Sequence, residues 1–210
     1  MKNYNYIPQN YSVHYEQTSA VWDLSDAFLK LIPFDHEALV FCCIGTDRST
    51  GDALGPIIGS QLTSAFSFPF RIVGTLEQPL HALNLIEKHE QLHIEFQNPF
   101  IIAIDACLGD SDAIGSILLQ QGPLYPGKAV KKQLPPVGNI SVKGIVNVGG
   151  FMEATVLQNT RLHLTYSMGD KIVRALMLAW QRHLLKDKNN SNQNRHNTNT
   201  RKQIGYADFR

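Results

Sequence analysis

Two apolar segments rich in strand-forming residues constrain the fold of this 210-residue chain most strongly. The first covers residues 38–44 and ends at Gly45, where a polar loop leads into Asp52-Ala-Leu-Gly-Pro. The second covers residues 100–105 and ends at Asp105. Neither segment alternates polar with apolar residues, which is typical of strands buried on both faces of a parallel sheet.

Helical periodicity around these segments completes an alternating pattern. It predicts helices over residues 18–32, 53–66, 79–91 (with Pro79 in the first turn), 151–158 and 167–185, and further strands over 70–74, 115–120 and 161–165. Residues 121–150 are dense in Gly and Pro, which predicts turns and irregular backbone. The alternation favours one α/β domain over residues 18–185, built as a three-layer α/β/α sandwich.

Both ends of the chain differ in composition from this domain. Residues 1–17 are polar and aromatic without a clear period, and residues 186–210 combine many asparagines with six basic and two acidic side chains. The second composition predicts disorder, because it cannot bury enough apolar surface. The whole chain has a formal net charge of only +1, so the domain is mildly acidic and nucleic acid is not an expected partner.

The sequence also predicts a cellular compartment. No apolar run approaches the roughly 18 residues of a membrane span, and the first residues lack an apolar signal core. The cysteines, Cys42, Cys43 and Cys107, have no metal-type C-x-x-C spacing. We therefore expect a cytoplasmic protein with reduced cysteines and no membrane partner.

The glycine-containing loop after the first strand does not match the phosphate-binding fingerprints. In a P-loop, the two glycines are five positions apart and a lysine follows the second. Here Gly45 and Gly51 are one residue too far apart, and Asp52 stands near the lysine position, where a carboxylate would repel phosphate. The dinucleotide pattern G-x-G-x-x-G is also absent, so the sequence disfavours nucleotide binding.

Asp52 and Asp105 each follow a predicted strand and form the strongest candidate pair. One interpretation is structural, with each carboxylate capping a helix or holding a loop. The other requires the two strand ends to be neighbours in the sheet. Two close carboxyls cannot easily both ionise, so one keeps a proton while the other acts as a base. Such a pair could activate water for amide hydrolysis or share a metal ion.

Other residues could contribute to the same cleft. Asp47 and Arg48 lie in the loop before Asp52, where Arg48 could neutralise a carboxylate and Asp47 could equally be a surface turn residue. His81 lies near a predicted strand-to-helix turn. Glu153 is a third acid or a helix cap. Cys107 is a weaker candidate for a nucleophile, because the sequence identifies no partner histidine.

Several long motifs carry a resemblance to a known family. They are residues 45–56 (Gly-Thr-Asp-Arg-Ser-Thr-Gly-Asp-Ala-Leu-Gly-Pro), 104–109 (Ile-Asp-Ala-Cys-Leu-Gly), 132–138, 144–153 and 157–161. Through these motifs the chain resembles, over about residues 18–185, the YyaC family of sporulation proteins from spore-forming Firmicutes. That family is similar to the germination protease and to the hydrogenase-maturation endopeptidases. The resemblance implies their phosphorylase/hydrolase-like (hydrogenase-maturation-protease-like) form of the three-layer fold.

The resemblance also implies roles for individual residues. The aspartates of the germination protease that match Asp52 and Asp105 are regarded as catalytic. The hydrogenase-maturation endopeptidases have metal-binding acids at the same positions and a histidine ligand before a later helix. Residues 147–151 of this chain contain no histidine, which argues against a metal unless His81 supplies the ligand. We therefore expect no metal and no other cofactor.

These observations lead to one main functional hypothesis and two alternatives. The main hypothesis is an aspartate-dependent endopeptidase of sporulation or germination, acting on a protein or peptide such as a small acid-soluble spore protein. The first alternative is a non-catalytic binding or regulatory protein on the same fold, with a basic tail that touches acidic partners. The second is a metal-dependent hydrolase. The helix at 18–32 is a candidate surface for a homo-oligomer.

Overall fold

One mixed sheet of six strands forms the centre of the computed structural model, which describes residues 10–126 and 134–204, with side chains as far as Lys188. The strands are β1 (Asn10–His14), β2 (Leu39–Cys43), β3 (Arg71–Val73), β4 (Phe100–Gly109), β5 (Ser116–Gln121) and β6 (Ile140–Val148). Their order is β1-β5-β6-β4-β2-β3. Strands β3, β2, β4 and β6 are parallel, and β5 and then β1 add antiparallel pairs.

Helices cover both faces of this sheet. They are α1 (Ala20–Leu31), α2 (Leu54–Ser64), α3 (Leu85–Glu95), α4 (Glu153–Gln158) and α5 (Leu162–Ile204). The larger core lies between the sheet and α1, α2 and α5, and includes Phe28, Ile58 and Ile172. The smaller core lies on the opposite face, where Leu85 and Leu92 of α3 are buried. The predicted three-layer α/β/α architecture is therefore confirmed.

The second predicted strand and the glycine-rich segment after it differ most from expectation. Strand β4 continues past Asp105 to Gly109, and nine residues of the segment predicted to be irregular form the strand β6. Gly144 lies within β6 because α2 and α5 pack closely there: a Cβ at this position would lie 2.3 Å from Leu54 Cδ2 and 3.0 Å from Met168 Cε. This glycine thus marks close packing inside a strand rather than a turn.

The helix predicted over residues 79–91 begins later, at Leu85. The residues before it form a turn that the Asn84 side chain holds: its Oδ1 accepts a hydrogen bond from the His81 N–H (2.8 Å), and its Nδ2 donates to the Pro79 carbonyl (3.0 Å). Leu80 bridges to Ile44 at the end of β2. The start of the predicted helix is therefore wrong, because this turn extends the sheet edge instead.

The ends of the domain also differ from the predictions. Residues 10–14 form β1, where no strand was expected, because they pair with β5 along their whole length. The strand predicted over 161–165 is wrong, since residues 162–165 begin α5. Helix α5 continues to Ile204, whereas disorder was predicted from residue 186. A helix that has already nucleated extends at little cost. Residues 1–9, 127–133 and 205–210 lie outside the described residues.

None of the helices described in residues 10–126 and 134–204 is both long and apolar enough to cross a membrane.

Candidate active site

Asp52 and Asp105 lie side by side at the level where β2 ends and its parallel neighbour β4 continues. Cys43, the last residue of β2, pairs with Ile104 of β4, so Asp105 is level with the residue that follows β2. The loop after β2 brings Asp52 back to this level. Both side chains line one cavity of about 900 Å³, and the charge of Asp52 acts on the carboxyl of Asp105. Two motifs that are far apart in the sequence thus become spatial neighbours, as the functional interpretation requires.

Two glycines explain why the loop can hold Asp52 there. Gly45 has a φ of 145°, and a Cβ on it would lie 1.9 Å from the Asp52 carbonyl oxygen. The loop closes through a hydrogen bond from the Thr46 N–H to that same carbonyl (3.1 Å). At Gly55 a Cβ would lie 2.1 Å from the Ile44 carbonyl oxygen, so α2 begins directly against the end of β2. The backbone around Asp52 is therefore closely packed and well fixed.

The structural interpretation of the two aspartates does not match what the structure shows. Helix α2 has Ala53 as its N-cap and shows no side-chain cap hydrogen bond, so Asp52 does not cap it. Asp105 lies within β4 rather than at its end, and its carboxyl accepts a hydrogen bond from the backbone N–H of Ala106. Both side chains are half-buried and directed to the cavity.

Burial shifts the protonation of both carboxyls in the same direction. Burial raises the pKa of Asp105 well above its usual range, and the neighbouring charge of Asp52 adds to the rise. The Ala106 N–H and the Lys143 ammonium oppose it. Burial likewise raises the pKa of Asp52, against the opposing effect of the Ser49 hydroxyl. Such a pair titrates as a unit and tends to keep one proton.

The Ser49 hydroxyl beside Asp52 is itself unusual. Its Oγ is buried and lacks a hydrogen-bond partner of good geometry among the described residues. It lies near enough to Asp52 to favour the ionised carboxylate. A hydroxyl donor beside a carboxyl stabilises its ionised form, so Ser49 favours Asp52 as the ionised member of the pair.

The other four predicted site residues line the same cavity. Asp47 and Arg48 are exposed on its rim, and His81 and Glu153 are half-buried in its wall. The structure therefore brings together all the residues that the sequence singled out for the cleft. Within the described part of the chain, Arg48 forms no salt bridge with Asp52. The roles of these residues in binding remain predictions.

The cavity wall holds His81 and Glu153 in different ways. The Leu83 N–H donates to His81 Nδ1 at 3.3 Å, within the turn before α3. Glu153 opens α4 directly after Met152, whose φ of 59° is rare for a residue with a side chain. A left-handed residue beside a cleft is a common mark of a functional constraint on the backbone.

The acids and the histidine of the cleft do not form a metal site. Among the described residues, three potential ligand atoms lie within 4.8 Å of one another only at Asp35, His183 and Asp187, outside the cleft. There His183 Nε2 lies 3.0 Å and 3.1 Å from the two carboxylates, which is hydrogen-bond distance. Asp52, Asp105 and His81 thus do not fit a metal ion together, and no catalytic step is assigned to one.

Lys143 is the main cleft residue that the sequence did not indicate. It lies on β6, directly beside Asp105 in the strand register, and its Nζ donates to Gln120 Oε1 at 2.9 Å. A signal was present in the sequence, because Lys143 is the one charged residue in the run Ile140-Ser-Val-Lys-Gly-Ile-Val146. The density of Gly and Pro around this run concealed the strand. The rest of the lining is largely apolar and includes Leu76, Leu83, Leu108, Leu118, Leu124, Tyr125 and Leu134.

Fold and site together define a three-layer α/β/α protein with a carboxyl pair at the edge of its sheet. Residues 12–175 match the family described as "Protein of unknown function (DUF1256)", and the chain belongs to that family. It is 49% identical over 141 residues to "Uncharacterized protein YyaC" of Bacillus subtilis (strain 168), covering 67% of this chain and 69% of that protein. The resemblance drawn from the motifs is thereby confirmed.

A solved structure is also similar to this chain. It is the [NiFe] hydrogenase maturation protease HycI from Thermococcus kodakarensis KOD1, with a TM-score of 0.43 and 13% sequence identity. The match covers 72% of this chain and 99% of that one. A similarity at this level does not establish a shared activity.

Proposed function

We propose that this protein is an endopeptidase that hydrolyses peptide bonds with the carboxyl pair Asp52 and Asp105. One observation carries the proposal: two half-buried carboxyls, both with raised pKa, interact beside the end of β2 and line an open cleft. Burying two acids side by side destabilises a protein, and arrangements of this kind are concentrated at functional sites. General acid–base chemistry is the use to which such a pair is suited.

The reaction follows from the single shared proton. The ionised carboxylate takes a proton from water, and the water oxygen bonds to the carbonyl carbon of the peptide. The protonated carboxyl then gives its proton to the amide nitrogen as the carbon–nitrogen bond breaks. The products are a carboxylic acid and an amine, and the pair again holds one proton, now on the other carboxyl. Ser49 beside Asp52 supports Asp52 as the base of the first step.

The cleft also suits a peptide in size and chemistry. Its volume of about 900 Å³ is at the upper end of the range for small-molecule sites, so several residues of an extended chain would fit. Seven leucines and five acids are among the residues that line it. The resemblance to the YyaC family supports a role in sporulation or germination, with small acid-soluble spore proteins as the first substrates to test.

The experiment is incubation of the purified protein with small acid-soluble spore proteins, followed by mass spectrometry of the products. Asp52→Asn and Asp105→Asn should each lower cleavage by at least about 100-fold, because each removes a proton-transfer group. Asp112→Asn, an exposed acid outside the cleft, is the matched control and should cleave like the wild type. A chelator should leave cleavage unchanged.

Three results would contradict this proposal. Full cleavage by both cleft variants would show that the carboxyl pair is not catalytic, and loss of cleavage with chelator would favour the metal-dependent alternative. A wild-type protein that binds a spore protein without cleaving it, as tightly as its Asn variants do, would favour the non-catalytic binding protein.

A further inference from the structure

Two basic residues are found among the described residues that line the cleft, and they differ in position. Arg48 is exposed on the rim, whereas Lys143 is half-buried on the floor. Several acids line the same cavity, among them Asp47, Glu77 and Glu153. A single ammonium on the floor of an acidic cleft is therefore the natural contact for negative charge that develops there.

The strand register fixes where this ammonium group lies. Lys143 pairs with Leu118 of β5 on one side and with Asp105 of β4 on the other. Ile44 follows the β2 residue that pairs with Ile104, so it lies at the same level. All four of these residues line the cleft and form one row across the sheet. Neighbouring strands are roughly 4.8 Å apart, so the Lys143 side chain leaves the sheet directly beside Asp105.

A chain of hydrogen bonds anchors the ammonium from the side away from Asp105. Lys143 Nζ donates to Gln120 Oε1 at 2.9 Å, and Gln120 Nε2 donates to Asn10 Oδ1 at 2.9 Å. An ammonium carries three N–H donors, so this bond uses one of them. Within the described residues Lys143 forms no salt bridge with Asp105, although its charge acts on that carboxyl. The Lys143 ammonium and the Asp105 carboxyl are therefore more than 4.0 Å apart, so no direct ion pair with Asp105 occupies the remaining N–H donors.

We propose that Lys143 is a catalytic residue whose Nζ donates a hydrogen bond to the oxyanion of the tetrahedral intermediate. This proposal rests on the proposed function of Asp52 and Asp105. When the water oxygen bonds to the carbonyl carbon, the carbonyl π electrons move onto oxygen and leave a negative charge. Lys143 keeps its proton and stabilises this charge by a charge-assisted hydrogen bond. When the carbon–nitrogen bond breaks, the electrons return to the carbonyl and the contact weakens.

The kinetic test replaces the ammonium by an apolar group of similar length. Lys143→Met should lower kcat about 100- to 1000-fold with little change in KM, because the contact forms only in the transition state. Lys143→Arg keeps a charged donor and should recover part of the lost kcat. Lys30→Met, on the exposed side of α1, is the matched control and should behave like the wild type. Urea unfolding of each variant identifies any that fails to fold.

A binding test decides the same point without turnover. The probe is a phosphinic peptide with leucine side chains on both sides of the phosphinate, a tetrahedral anion, and its partner is the same peptide with an uncharged hydroxyethylene group. Measured by calorimetry, Lys143→Met should weaken binding of the phosphinic peptide at least about tenfold. It should weaken binding of the uncharged peptide by less than about threefold. If Lys143 had only a structural role, its replacement would weaken the binding of both ligands equally.

The outcomes separate this proposal from the one on which it rests. Equal weakening of both ligands, or an unchanged kcat in a folded Lys143→Met protein, would overturn the role of Lys143. A wild-type protein that cleaves no peptide would overturn the peptidase proposal. In that case, selective loss of phosphinate binding would still assign Lys143 as the group that binds the tetrahedral anion.

Discussion

Asp105 occupies a position where its ionisation destabilises the folded protein. Burial and the charge of Asp52 both disfavour a second negative charge there, and only the Ala106 N–H and Lys143 oppose them. The surrounding core holds the carboxyl in place all the same, because Ile104, the preceding residue of β4, is completely buried. At neutral pH, the folded protein would therefore be more stable without an ionisable group at position 105, although this residue provides the proposed chemistry.

This cost predicts a pH-dependent gain in stability for Asp105→Asn. The folded pKa is raised above the unfolded one, so the native protein binds more protons between the two pKa values and loses stability as pH rises through that window. Asn cannot ionise and avoids this loss. In urea titrations the variant should equal the wild type near pH 4 and be more stable at pH 8. A difference that stays constant with pH would contradict the assigned environment of Asp105.

The loop glycine gives a second prediction at the residue scale. In Gly45→Ala the new Cβ would lie 1.9 Å from the Asp52 carbonyl oxygen, so the loop must shift. We expect a loss of about 2–4 kcal/mol in the free energy of unfolding, together with loss of peptide cleavage. Gly150→Ala is the matched control: its φ of 132° is similarly unfavourable for alanine, but the added Cβ meets no atom within 4 Å.

Gly150→Ala should therefore lose only the smaller part of that stability, about 1 kcal/mol, since it has the backbone strain without the steric overlap. Equal losses in the two variants would show that close packing on Asp52 does not restrain the loop.

At the scale of elements, apolar patterning predicted the parts of the fold that carry the acids. The segments at 38–44 and 100–105 became β2 and β4, and 53–66 became α2, because continuous apolar runs and helical spacing leave few alternatives. Strand β6 was not predicted, because its Gly144 indicates a turn in the sequence. Only the tertiary structure shows that helix packing requires this glycine. Lys143, which lies on β6, was therefore not predicted either. Local patterns thus predicted the paired acids but not their partner on the third strand.

Only part of helix α5 contributes to the core. Its buried residues on the large core include Met168, Leu176 and Ala179. Beyond them, the Trp180 indole N–H donates to the Ser67 carbonyl at 2.8 Å, and Arg182 Nη2 lies 2.6 Å from Asp26 Oδ1. The contacts that tie α5 to the rest of the molecule therefore lie in the first half of the helix.

Two truncations test this division of α5. A chain ending at Lys188 should melt within about 3 °C of the full chain, because it keeps the contacts described above. A chain ending at Leu178 loses Ala179, Trp180 and the Arg182 ion pair, and should melt at least about 10 °C lower. Thermal unfolding followed by circular dichroism measures both. A large loss on removing only residues 189–210 would contradict a domain that ends near residue 185.

At the scale of the whole molecule, one face of the sheet carries the larger core and the other carries the cleft. One face packs against three helices in the larger core, while the other is covered by α3 only in part and opens into the cleft. The register of β6 against β4 shifts between Cys107 and Leu108, next to the acids. Irregular pairing of this kind occurs often beside active sites, where it redirects side chains. The composition and the alternation of elements predicted the layers, but they could not predict which face would stay open.

The central claim is that Asp52 and Asp105 form one coupled carboxyl pair, and carbon-13 NMR of labelled aspartate side chains tests it most directly. In the wild type, the Asp105 carboxyl should titrate well above the range of an ordinary aspartate. In Asp52→Asn its pKa should fall, because one of the charges that disfavours its ionisation is gone. The control Asp112→Asn should leave it unchanged. An Asp105 pKa that is the same in the wild type and in Asp52→Asn would contradict the pair, and with it the proposed mechanism.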